Sequence, residues 1–187
     1  MAARVTAGRR AASAALSIVL AMILAGCGAG ASVDPPATFP PTTFGPGEAT
    51  GADVAATRAE LARAFGALSL QLADPQVPHR PAESTAFAAA RRAVFQVVLP
   101  DDAAHGFVSV YEFADLAAAT AAGRDQAAYV ASGPGRVQFP PDSRFVIRQV
   151  GRTVVFFAWS PLNSPDRRTG DIQTALETVG TGIPVPG

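Results

Sequence analysis

The chain has 187 residues, no lysine and one cysteine. A single cysteine, Cys27, excludes an internal disulfide and a cysteine-rich zinc site. With only His79 and His105 as imidazoles, a histidine-dominated metal shell is ruled out as well. No Gly-x-Ser-x-Gly elbow occurs, so the commonest serine hydrolase arrangement is missing. Every basic residue is arginine, and asparagine occurs only at Asn163. Together with abundant alanine, glycine and proline, this usage follows GC-rich coding more than function, and it warns against reading a role into each arginine. The 15 basic and 15 acidic residues balance. That balance argues against nucleic acid as a partner, which calls for a basic patch or stripe.

The longest apolar stretch, Ala11 to Ala25, is interrupted only by Ser13 and Ser17. It is shorter than the roughly 20 residues that a membrane-spanning helix needs. Arg4, Arg9 and Arg10 precede it with no acid among them. The apolar run ends in Leu24-Ala25-Gly26-Cys27. A basic start, a short apolar core and small residues before a cleavage point are the parts of a secretory signal. Ala11 and Ala12 follow the Arg9-Arg10 pair, which favours general secretion over a twin-arginine route.

Residues 24–27 resemble the lipobox of bacterial lipoproteins. The resemblance covers residues 1–27 alone. It implies cleavage between Gly26 and Cys27, with Cys27 lipidated as the first residue of the mature protein. It also implies an extracytoplasmic location, lipid-anchored to the cell membrane or envelope. Two or three acyl chains, at about 0.8 kcal/mol per buried methylene, give effectively permanent attachment. Loss of a leader carrying three arginines leaves the mature chain three charges negative.

Residues 27–51 read as a tether. Pro35, Pro36, Pro40, Pro41 and Pro46 are spread among Gly, Ala and Thr, a composition that builds neither a core nor a regular helix. As a coil such a segment reaches about 25–30 Å, and about 75 Å if fully polyproline-like. Phe39 and Phe44 are unusually apolar for a spacer.

Residues 52–187 are expected to form one globular domain, long enough for a single packed core. Asp53 is placed to cap a first helix with Val54, Thr57, Leu61, Phe65, Leu68 and Leu72 as its apolar stripe, ended by Pro75 and Pro78. Residues 93–99 and 107–113 read as one pair of strands, and 144–150 and 153–159 as another. A helix is expected from Asp115 to Ser132, stopped by Gly133-Pro134-Gly135, and a last one from Asp171 to Val179. The order αββαββα predicts an α+β fold: an antiparallel sheet built from two β-hairpins, with helices packed on one side.

The second hairpin carries the sharpest inference. A two-residue turn at Gly151-Arg152, with glycine first, suits type II′. It sets Val150 opposite Thr153, Arg148 opposite Val155, Val146 opposite Phe157 and Arg144 opposite Trp159. Arg144, Arg148, Phe157 and Trp159 then share one face and form the candidate binding face, with Arg144 placed to stack on Trp159. A first helix covering this face, with the arginine stems lying over apolar surface, is the structural alternative. Phe145, Ile147, Gln149, Val154, Phe156 and Ala158 form the more apolar face. Glu112 is expected to pair with Arg148 across the sheet.

Asp101, Asp102 and His105 fall within one loop. They suggest acid–base or divalent-ion chemistry, or simply a solvated turn; no second histidine cluster completes a metal shell. His79 reads as a loop residue. Gly133-Pro134-Gly135-Arg136 follows a helix C-terminus, where the dipole disfavours anions. No catalytic residue, cofactor or metal site is assigned. The expected role is a binding or accessory module, not an enzyme, held to the membrane through lipid on Cys27 with an envelope protein or small molecule as partner. The alternatives are a carboxylate- or metal-dependent hydrolase and a structural surface protein without ligand.

Overall fold

A computed structural model of the chain describes residues 49–187. The leader, Gly26, Cys27, Phe39, Phe44 and all of the tether before Ala49 lie outside the described residues. The fold is α+β, with six antiparallel strands in the order β1-β2-β3-β5-β4-β6. The two predicted hairpins supply the centre: β2 (Arg91–Val97) with β3 (Phe107–Glu112), and β4 (Arg144–Val150) with β5 (Thr153–Trp159). Strands β3 and β5 join them. Two-residue strands β1 (Leu72–Ala73) and β6 (Thr181–Gly182) lie at the edges.

Helices cover both faces, not one. Helix α1 (Ala52–Gly66) and helix α5 (Thr169–Glu177) pack on one side, and α2 (Thr85–Ala89) and α3 (Leu116–Ala131) on the other. The first layer holds Leu61, Phe65, Phe95, Val110, Val155, Phe157, Ile172 and Leu176. The second holds Phe87, Tyr111, Ala119, Ala122, Val130, Ile147, Val154 and Phe156. The reason lies in the strands. Val154-Val155-Phe156-Phe157 is apolar at every position, so period-two alternation delivers an apolar row to each face. Each fully buried side chain of this size contributes about 1.5–3 kcal/mol.

Val54, Thr57, Leu61 and Phe65 form the buried stripe of α1 as expected. The helix ends at Gly66, however, because the chain reverses through Ser69, which adopts φ 58°. Leu68 is therefore largely exposed and Leu72 belongs to β1. Gly51, not Asp53, occupies the N-cap, and Asp53 instead pairs with Arg152 of the β4–β5 turn. Asp115 caps α3, accepting from the Ala118 N–H at 2.8 Å. Ser132 does not simply stop that helix; it also caps the short helix α4 (Gly133–Arg136).

The second hairpin has the predicted register: Val150 lies opposite Thr153, Arg148 opposite Val155, Val146 opposite Phe157 and Arg144 opposite Trp159. Gly151 has φ 55°, while Arg152 is not in the left-handed region. That combination is type II′, since type I′ needs positive φ at both central residues. Thr153 and Thr57 share a buried hydroxyl hydrogen bond of 2.8 Å that fixes α1 to the start of β5.

Candidate functional site

The outer edge of β2 is only partly paired. Strand β1 pairs Leu72 with Val97 and Ala73 with Gln96. Continued by two residues, this register sets position 75 opposite Val94. Position 75 is proline, which has no N–H to donate to the ladder, and β1 stops before it. The Val97 N–H donates to Gly106 on the β3 side, and the Val98 N–H donates to Gln71 on the β1 side. By alternation, the Val94 N–H and C=O point outward, away from β3. Among the described residues neither group has a hydrogen-bond partner. On the other side of the gap the Ala49 N–H donates to the Arg92 carbonyl at 3.0 Å.

A groove of about 900 Å³ runs along this edge. Val54, Ala55 and Arg58 of α1 form one wall, and Pro75, Pro78, His79 and Arg80 of the β1–α2 loop form the other. Ala93, Val94 and Phe95 form the floor. Arg58 lies 5.0 Å from the centre of the Phe95 ring and pairs with Asp74 at 2.9 Å.

The loop wall is held from beneath. Glu83, whose side chain is only 3% exposed, accepts from Arg80 at 2.8 Å, from Arg92, and from the Tyr111 hydroxyl at 2.8 Å. A buried carboxylate needs such a set of donors, because removing its hydration is costly. Burial and the Glu83 charge push the Tyr111 phenol well above its ordinary pKa. Gln126 of α3 donates to the Ala82 carbonyl at 3.0 Å and accepts from the Ser84 N–H at 2.7 Å, tying the same loop to the opposite layer. His79 stacks on Phe107, with ring centres 4.3 Å apart and planes 6° from parallel. Burial first, then Arg92 and His105, hold its pKa below the usual imidazole value.

The residues singled out in the sequence lie elsewhere. Arg144, Arg148, Phe157 and Trp159 do share a face, and α5 packs over it. Phe157 is enclosed. Arg148 donates to the Val179 carbonyl at 2.6 Å and the Gly180 carbonyl at 2.9 Å, so it braces the chain that leaves α5. It does not pair with Glu112, which instead faces Arg152 at 3.8 Å because the two lie at the same end of neighbouring strands. Trp159 is half-buried, with its indole N–H on Gln173 at 3.1 Å, and the Arg144 guanidinium lies 5.4 Å from its ring centre. Beside them opens a recess of about 320 Å³, lined in part by Arg148, Gln173 and Glu177.

In the β2–β3 loop, buried Asp102 contacts His105 Nδ1 at 2.6 Å, and the Asp101 N–H donates to Asp166 at 3.3 Å. Gln96 donates to the Ala103 and His105 carbonyls. This is a braced turn, set apart from the groove lining. Asp166 is held far below the usual carboxylate range, first by its hydrogen bonds from Arg168. Arg136 donates to the Ser143 and Pro141 carbonyls, so it braces the chain entering β4. Among the described residues no group of three or more His, Cys, Asp or Glu side chains is placed to hold a metal. None of the described helices is long and apolar enough to cross a membrane.

No protein family, curated protein sequence or solved structure matches this chain.

Proposed function

We propose that the protein is a membrane-anchored envelope lipoprotein whose globular domain is a binding module, with its ligand seated in the groove along β2. The anchor reading rests on the basic and apolar leader and on Leu24-Ala25-Gly26-Cys27. The binding reading rests above all on one observation: among the described residues the outward main-chain groups of Val94 have no partner, and they lie in a groove of ligand size. The Asp102–His105 contact favours the hydrolase reading less, because it sits in a turn outside that groove.

Labelling with a clickable fatty-acid precursor tests the anchor. The wild-type chain is expected to take up label and Cys27→Ala to take up none; equal labelling of the two overturns it. Photo-crosslinking in envelope extract tests the groove. Ala55 is exposed and lines the groove, so Ala55→Trp is expected to fill it without disturbing the core. Crosslinked products lost in Ala55→Trp support the reading, and products unchanged in Ala55→Trp overturn it.

A further inference from the structure

We infer that the groove takes a short extended acidic peptide segment, added as a strand to the open edge of β2. The inference rests on the binding reading above and specifies its ligand class. Strand addition needs an exposed edge with unpaired main-chain groups, and side-chain pockets beside it supply specificity. Both are present here. The gap is bounded by the Ala49–Arg92 hydrogen bond at one end and the Ala73–Gln96 pair at the other. Asp74 follows directly on Ala73 and takes the position opposite Phe95, so the gap lies opposite Ala93 and Val94. A ligand residue opposite Val94 meets its N–H and C=O.

The walls choose the side chains. Paired residues in neighbouring strands project to the same face. A ligand residue opposite Ala93, which faces the same side as Phe95, therefore projects towards α1, where Arg58 lies over the Phe95 ring. A ligand residue opposite Val94 projects to the other face, the side of Arg92 and Arg80. An acidic side chain thus finds a guanidinium whichever way it points. Arg58, Arg80 and Arg92 outnumber the carboxylates that face them, Asp74 and Glu83. Glu83 is enclosed, and the Arg58–Asp74 pair is exposed on both sides. An exposed pair is worth little and is readily exchanged for a ligand carboxylate. Ala55 and Val54 leave an apolar strip between the charges, suited to a small aliphatic side chain.

The probe is an acetylated pentapeptide with valine at odd and glutamate at even positions, beside its lysine counterpart. The protein is the chain from residue 27 with Cys27→Ser, which retains every described residue. Fluorescence anisotropy is expected to show saturable binding of the glutamate peptide and none of the lysine peptide. The Val94 amide should exchange rapidly with solvent alone and become protected when that peptide is added. Val94→Pro removes the outward N–H without touching the ladder with β3, and proline is tolerated on such an edge; Val94→Ala, which keeps the N–H, controls for loss of the side chain. Val94→Pro should keep the thermal transition and weaken the peptide about tenfold. Arg58→Glu should weaken the glutamate peptide independently of the main-chain contact.

Equal binding of both peptides, or unchanged binding by a folded Val94→Pro chain, overturns the inference. So does a Val94 amide already protected without peptide, which would mean that the chain's own residues close the edge. Envelope products still crosslinked by Val94→Pro but lost in Ala55→Trp would leave the groove reading standing and defeat strand addition alone. Products retained by both variants would defeat both.

Discussion

Tyr111, on β3 and in the second core layer, donates its hydroxyl to Glu83 of the β1–α2 loop at 2.8 Å across a span of 28 residues. The phenol is otherwise core: its ring sits 4.1 Å from that of Phe87. One side chain thus joins the hydrophobic layer to the wall of the groove. Tyr111→Phe keeps the ring and removes the donor, and is expected to cost about 1.5–3 kcal/mol, the range for a hydrogen bond to a charged group. Urea unfolding measures it. Because the folded phenol pKa is raised, its contribution is fully present below the ordinary value of 10.0 and is lost as pH climbs above it. The wild type should lose stability in that alkaline range, and Tyr111→Phe should lose less.

His79 works in the opposite direction on the pH scale. Its folded pKa is depressed, so the unfolded chain binds a proton that the folded chain refuses. Stability is therefore present above the ordinary value of 6.5 and falls as pH drops below it. His79→Phe preserves stacking on Phe107 and removes the titration. Melts across the mildly acidic range should show a shallower decline for this variant than for wild type. Parallel declines would mean that His79 does not contribute.

Pro75 ends β1 at the position that would face Val94. Pro75→Val supplies the missing N–H at the same register. The edge pairing is expected to lengthen, and the Val94 amide should change from fast to slow hydrogen exchange. A Val94 amide that still exchanges rapidly would show that the loop path, rather than the proline, holds the edge open.

The Arg144/Trp159 face divides into core and rim. Phe157→Ala empties a fully enclosed site and should cost about 3–5 kcal/mol. Arg144→Ala removes an exposed side chain and should stay within about 0.5 kcal/mol. Thermal melts with unchanged crosslinking in Arg144→Ala would assign the face to structure. Crosslinking lost in Arg144→Ala at unchanged stability would restore it as a binding face.

Much of the sheet is legible in the sequence because local chemistry sets it. Glycine before Arg152 selects the turn, the turn sets the register, and the register pairs Arg144 with Trp159. The second helical layer is harder to read. Arg144 and Arg148 interrupt one row of the hairpin, which makes that row look partly solvent-facing beside the Phe145–Ile147 row. Both arginines belong to β4, next to the short edge strand β6, where their heads reach Trp159 and the end of α5 while Val146, Val155 and Phe157 fill the layer between. The groove is harder still. Pro75 and Pro78 are expected to end the first helix, but that helix stops at Gly66 and Pro75 instead follows β1, where its consequence depends on which residue of β2 lies opposite. A two-residue strand with no periodicity gives no sign of that partner.

The Arg152 guanidinium in the β4–β5 turn bonds Asp53 in the first turn of α1 and the Ala114 carbonyl before α3. If the chain is anchored through Cys27 as proposed above, a mechanical load would enter the domain here. Tension arriving at Ala49 meets one main-chain bond to Arg92 and then this solvent-exposed clasp, before it reaches the buried Thr57–Thr153 bond and Leu61. The order makes the first turn of α1 a fuse. It should yield at low force, with the sheet still intact, and optical-tweezers traces of Arg152→Ala should lose that early step.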